Sequence, residues 1–215
     1  MITLTQRLAR LTLLLLVPLA LAACGINSIP TKEEKAKAQW AEVQNQYQRR
    51  SDLIPNLVAT VKGYAAQESS VLIGVSEARA GAMQVKSDAS ITTDPAAFQR
   101  YAAAQNSLSL ALAPMRVLQE NYPDLKSNEN FMALQSQLEG TENRITISRR
   151  DYNEAVRDLN TTLRTFPQVF WAKTMYASSK PMELFQATAS AQSAPTVDFA
   201  PAGAAPGSAP PEPAR

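Results

Sequence analysis

The sequence contains no histidine. That absence removes the most frequent general base, the commonest metal ligand and the one side chain that ordinarily titrates near neutral pH. There is one cysteine, Cys24, so an internal disulfide and a multi-cysteine zinc site are both excluded. Seven glycines in 215 residues are few for an all-β chain, and none builds the Gly-rich loop that cradles a phosphate. Charge is scarce too, at 19% of residues, and the formal +2 is misleading. Arg7 and Arg10 lie in an N-terminal segment that has no acid; without them 19 basic side chains meet 19 acidic ones, and no basic run exceeds two residues. A neutral chain without a basic stripe offers no electrostatic case for nucleic acid. A ferritin-like metal site needs Glu-x-x-His repeats, which a chain without histidine cannot supply. Catalysis would have to rest on carboxylates such as Glu142 and Asp52, and their spacing gives no support. The expectation is a protein that is not an enzyme and carries no cofactor or metal.

What is present begins with an address. Arg7 and Arg10 precede an apolar run of 13 residues, Leu11 to Ala23, interrupted by Pro18. A membrane span needs roughly 20 such residues, so the run fits an export signal. It ends in Leu21-Ala22-Ala23-Cys24, which resembles the lipobox of bacterial lipoproteins. The resemblance implies cleavage before Cys24, a diacylglycerol on its sulfur and acylation (palmitate among the chains) of the new amine. Ordinary secretion, with cleavage after the small residues Ala20-Leu21-Ala22, is the alternative. Two or more acyl chains suffice for stable anchoring, so lipidation predicts a protein attached to the membrane without spanning it. Gly25, in place of the aspartate that retains lipoproteins in the inner membrane, implies the periplasmic face of the outer membrane if the host is diderm.

Three helical ladders follow. Trp40, Tyr47, Ile54, Val61, Glu68, Val75 and Ala82 recur every seven residues, with Val43, Arg50, Leu57, Tyr64, Val71, Ala78 and Val85 at the partner positions. This coiled-coil-like spacing predicts one long amphipathic helix from Lys32 to Met83, with Pro55 inside it. Proline lacks an N–H and crowds the carbonyl four residues back. Either a fresh helix starts at Ser51 or Asp52, or one helix kinks; the unbroken phase from Tyr47 to Val61 favours the kink. The segment 85–94 reads as a loop, closed by Asp94-Pro95 as cap and first helical residue. The second ladder, Phe98 to Tyr122, contains Pro114. The third, capped by Ser127 or Asn128, repeats Phe131, Leu138, Ile145, Tyr152, Leu159 and Phe166 and stops at Pro167. A short amphipathic piece, about Val169 to Phe185, is rich in aromatics and predicts either an aromatic cap on the bundle or a surface docking patch. The predicted organisation is thus a signal peptide 1–23, a short tether 24–31, a domain 32–186 and a disordered Ala/Pro-rich tail 187–215, the tail holding six prolines. The fold class is all-α: an antiparallel bundle of three long helices, the first and second kinked at proline, plus a short C-terminal helix.

RRSDLIPNLVATVKGYA, NYPDLKSNENF, TENRI and YNEAV, in that order between Trp40 and Phe185, resemble the LemA family of bacterial envelope proteins. The resemblance implies an all-α antiparallel bundle, association with the cell envelope and no assigned catalytic residue. Many members keep an uncut membrane helix, which this chain replaces with its lipobox; some are encoded near membrane proteases, which makes such a protease one candidate partner. The expected function is a non-catalytic scaffold or adaptor; the alternative is a module that binds lipid or cell-wall material directly. Arg49, Arg50, Asp52 and Asn56 around Pro55, with Glu142, Arg144 and Arg149 on the third helix, are candidates for partner docking. The favoured reading is plainer: they set helix register through interhelical ion pairs or lie on a solvated face, because Arg50 and Glu68 fall on seam positions where an unpaired charge is costly.

Overall fold

The computed structural model describes residues 25–186; the segment expected to be a signal peptide, Cys24 and the tail 187–215 lie outside the described residues. The described residues form six α-helices, α1 (Ser28–Tyr64), α2 (Ser69–Gln84), α3 (Pro95–Asn121), α4 (Pro123–Lys126), α5 (Glu129–Thr162) and α6 (Gln168–Thr174), with a 3-10 turn at Ala89–Thr93. No strand occurs among the described residues, and none of their helices is long and apolar enough to cross a membrane.

The predicted caps are in place where local chemistry alone decides. The Asp94 carboxylate accepts from the N–H groups of Ala96 and Ala97 at 3.0 and 3.1 Å, ahead of Pro95. Asn128 accepts from the Phe131 N–H at 2.9 Å. Each satisfies donors that a helix start leaves orphaned. α1 starts earlier than Lys32, at Ser28: Pro30 sits in the first turn, where no N–H is needed, Ile29 is fully buried, and the Ser28 hydroxyl donates to the Gly25 carbonyl at 2.7 Å. Gly25 is itself buried, so residues 25–31 belong to the folded unit rather than to a tether.

The largest departure concerns the first ladder. The chain does not continue as one helix to Met83; it turns at Ala65–Glu68 and α2 folds back on α1. A straight rod over 32–83 would be about 78 Å long at 1.5 Å per residue, with much of its stripe unpartnered. It would also hold the Glu68 carboxylate on a buried seam, which is expensive. At the turn Glu68 is half-exposed and accepts from the Tyr122 hydroxyl at 2.9 Å. Val61 and Val75 are both fully buried because two separate helices happen to present stripes fourteen residues apart. A sevenfold spacing cannot register that reversal.

α1 and α5 pair antiparallel over most of their length, as Trp40 meets Tyr152, Arg50 meets Glu142 and Tyr64 meets Asn128. α3 packs on α2 and runs in the same direction as α1, with Phe98 and Tyr101 against Trp40. Two apolar cores result. One gathers Trp40, Phe98, Tyr101, Tyr152 and Phe185, with ring centroids 4.8 to 6.2 Å apart; aromatic pairs in this range contribute about 0.5–1.5 kcal/mol each beyond their buried area. The other gathers Ile54, Leu57, Val61, Val75, Leu108 and Phe131.

The aromatic C-terminal piece divides between its two predicted roles. Helix covers only Gln168–Thr174, and residues 177–186 carry no regular structure beyond a turn. Phe185 is buried in the first core and Trp171 packs against it, whereas Phe166 and Phe170 stand on the surface.

Ile145 is 3% exposed, while Leu138 is half-buried. Ile145→Ala is therefore expected to lower the unfolding free energy by about 2–5 kcal/mol, and Leu138→Ala by less. Urea unfolding followed by circular dichroism measures both.

Candidate functional site

The polar residues singled out around Pro55 separate into an interior group and a surface group. Arg50 is interior, 1% exposed, between the two apolar cores. Its Nη1 donates to Glu142 Oε1 and to Ser109 Oγ, each at 2.6 Å, and its Nη2 donates to the Gln105 side-chain and backbone oxygens at 2.7 and 3.1 Å. The guanidinium also lies 5.0 Å from the Tyr47 ring centroid, within cation–π range. One side chain of α1 thus holds α3 and α5. The Glu142 side chain is 37% exposed, so its carboxylate keeps part of its hydration and the pair avoids the full cost of burying two charges. Arg50 has no surface to offer a partner: of its two readings its burial leaves the interhelical one, with both Nη atoms engaged in four hydrogen bonds and the Nε–H buried without a partner. Glu142 is committed to the same network. Arg149 is half-buried, with its guanidinium 4.5 Å from the Phe185 ring centroid.

Arg49, Asp52 and Asn56 are exposed. Their spacing of three and four residues puts them on one stripe of α1, opposite the buried stripe of Val43, Tyr47, Ile54 and Leu57. Arg49 and Asp52 border a shallow groove of about 440 Å³ with Asn45 and Gln48, and Gln48 donates to Asp52 at 2.7 Å. Arg144 is exposed on α5 and makes no ion pair among the described residues.

Pro55 lies inside α1, which continues through it. Having no N–H, it leaves the carbonyl of Ser51 without its helical donor, and Ser51 is buried at 5% exposure. A buried carbonyl without a partner is costly. Arg79 of α2 supplies the bond, its Nε donating to the Ser51 oxygen at 2.8 Å. Proline and arginine therefore work as a pair that fastens α2 to α1. Pro114 of α3 frees the carbonyl of Leu110 instead, a residue 74% exposed, where solvent serves. The requirement for a donor near Ser51 follows from the sequence; that Arg79 provides it depends on the reversal at Ala65–Glu68.

Two asparagines turn out to have defined structural roles. Asn153 donates to the Phe185 carbonyl and accepts from the Phe185 N–H, both at 2.9 Å, and Asn160 does the same with Met182 at 2.9 and 2.9 Å. Seven residues apart on α5, they hold an irregular strand of chain as an edge strand would. The Tyr152 hydroxyl donates to the Glu183 carbonyl, and the Glu183 N–H to Thr92. The sevenfold Asn spacing was the available signal.

Beside Arg50 opens a cleft of about 350 Å³, bordered by Gln44, Tyr47, Ser51, Met83, Tyr101 and Gln105. Among the described residues no charged side chain borders it. Burial raises the pKa of both tyrosine hydroxyls, so each is a neutral donor and acceptor at physiological pH. The Ser51 hydroxyl is buried without a hydrogen-bond partner.

Together these features define an all-α bundle whose interior polar groups set helix register and whose outer stripe on α1 is polar and open. Within that class the chain belongs to the LemA family, whose model matches residues 39–199. It is similar to the magnetosome protein MamQ of Magnetospirillum gryphiswaldense, 23% identical over 175 residues that cover 74% of this chain and 64% of that protein. The magnetosome proteins MamQ 1 and MamQ 2 of Paramagnetospirillum magneticum are each 24% identical over 157 residues, covering 66% of this chain and 58% of theirs. The chain spans about three fifths of the length of these curated relatives.

A double-mutant cycle tests the Pro55–Arg79 pairing. Arg79→Met is expected to cost about 1–3 kcal/mol in the natural sequence, through the unpaired Ser51 carbonyl. In a Pro55→Ala background the restored backbone N–H takes that carbonyl and the cost shrinks. Equal costs in both backgrounds show that the two residues are independent.

Proposed function

We propose that the protein is a non-catalytic lipoprotein of the bacterial cell envelope, anchored through Cys24, that acts as a scaffold or adaptor. The observation that carries the scaffold reading is the division of polar residues. Arg50, Glu142, Gln105, Asn153 and Asn160 are engaged in bonds that hold the bundle together, whereas Arg49, Asp52 and Asn56 form a solvated stripe beside an open groove. A partner of the envelope, with a membrane protease as one candidate, docks on that stripe in this reading. The Leu21-Ala22-Ala23-Cys24 motif supports the anchor, and Gly25 supports the periplasmic face of the outer membrane in a diderm host. Membership of the LemA family and the magnetosome relatives support membrane association.

A second reading, direct binding of cell-wall material, is favoured by the cleft beside Arg50. Its border of amide and hydroxyl side chains, Gln44, Gln105, Tyr47 and Tyr101 among them, suits a neutral polar ligand. Isothermal titration with peptidoglycan fragments gives a saturable heat if this reading holds and none if the cleft is idle.

Mass spectrometry of the membrane fraction is expected to find a di- or triacylated peptide beginning at Cys24, and Cys24→Ser to release the protein from membranes. Unmodified Cys24 in a soluble native protein contradicts the anchor. Pull-downs with the Arg49→Ala/Asp52→Ala/Asn56→Ala bait are expected to lose the partner that the natural bait retains, at unchanged helicity; equal recovery contradicts the docking stripe.

A further inference from the structure

Resting on the lipid-anchored reading above, we propose that the end of the bundle built by residues 164–180 lies on the bilayer, with Phe166, Phe170 and Met175 inserted at the headgroup level. The argument begins with reach. Gly25 is buried, and a Cβ added there would stand 3.1 Å from Gln168 Nε2 at the start of α6. Its carbonyl accepts from Ser28 Oγ at 2.7 Å, so it is bonded to α1 and lies against the first residue of α6. Cys24 is the adjoining residue, and consecutive Cα atoms are about 3.8 Å apart. A sulfur carrying acyl chains at that position has no spacer with which to lift the bundle away. The surface around α6 is the one that must meet the lipid.

That surface has the composition of an interface. Phe166 is 85% exposed, Phe170 58% and Met175 60%, three large apolar side chains within ten residues. Single exposed apolar residues need no explanation; three within ten residues of chain, on and beside a helix whose first residue lies against Gly25, do. Phe170 meets Trp171 edge-on at 5.2 Å, and Trp171 in turn packs on the aromatic core, so the patch has a rigid backing. Arg164, Lys173 and Lys180 are exposed in the same stretch, which contains no acidic residue. The nearby carboxylate of Glu33 is already engaged, accepting from the Ser179 hydroxyl at 2.6 Å and pairing with Lys37 at 3.0 Å. Basic side chains flanking aromatics at this depth suit anionic headgroups.

Depth-resolved quenching tests the proposal on the full-length lipidated protein. It is reconstituted into phosphatidylcholine/phosphatidylglycerol vesicles, with and without a lipid carrying a doxyl quencher close to the headgroup. Flotation on a density gradient reads the anchor; Trp171 emission reads the patch, over a steady contribution from the buried Trp40. Flotation together with roughly twofold quenching is the expected result for an interfacial residue. Phe166→Ser/Phe170→Ser should still float but lose most of the quenching, while Leu110→Ser, which alters an equally exposed apolar residue on α3, should change neither reading. A protein that floats with Trp171 as bright as in quencher-free vesicles overturns the patch and leaves the anchor standing. A protein that does not float overturns the anchored reading and this inference with it.

Discussion

One buried cation organises this bundle. The Arg50 guanidinium sits between two apolar cores and binds α3 through Gln105 and Ser109 and α5 through Glu142. Hydrophobic contact does not specify register sharply, because a ladder that slips by one heptad buries similar area. A planar fork with several donors does specify it, because any slip leaves a charge unpaired in the interior at a cost of several kcal/mol. The ionic layer therefore contributes alignment, and the two apolar cores on either side of it contribute most of the stabilisation.

The same logic governs the other interior polar groups. Arg79, Asn153 and Asn160 each meet a need that the backbone creates. Arg79 satisfies the carbonyl that Pro55 leaves open, and Asn153 and Asn160 satisfy the N–H and C=O groups of a segment with no neighbouring strand. Fastening the helices from within leaves the outer stripe of α1 and the end around α6 unconstrained by packing. Those are the two surfaces on which the functional proposals rest, one for an envelope partner and one for lipid.

Much of this was legible in the residues. Trp40 to Val61, Phe98 to Met115 and Phe131 to Leu159 lie on the faces that their spacing predicts, and Asp94 and Asn128 cap the helices that they were expected to cap. Each such feature is decided within a turn or two of the chain. The reversal at Ala65–Glu68 was not legible, because α2 resumes the stripe in phase and a seven-residue period is blind to direction. The segment Val169 to Phe185 was misleading for a related reason: its aromatics suit a helical face, while an asparagine ladder holds Met182 and Phe185 in irregular chain. Arg50 and Glu142 could each be flagged as polar, but their pairing exists only once α1 and α5 are aligned.

If Arg50 aligns the helices, its removal must be felt by both cores at once. The direct measurement is the unfolding free energy, in urea, of Arg50→Ala, Glu142→Ala and the double variant. The account predicts a loss of about 3–5 kcal/mol for Glu142→Ala, which leaves the Arg50 cation buried without its carboxylate, a loss of about 2–5 kcal/mol for Arg50→Ala from the cavity and the orphaned Gln105 and Ser109 oxygens while Glu142 turns to solvent, and a double variant less destabilised than the sum of the two. Losses within about 0.5 kcal/mol for Arg50→Ala, the range of an ordinary surface substitution, would contradict it.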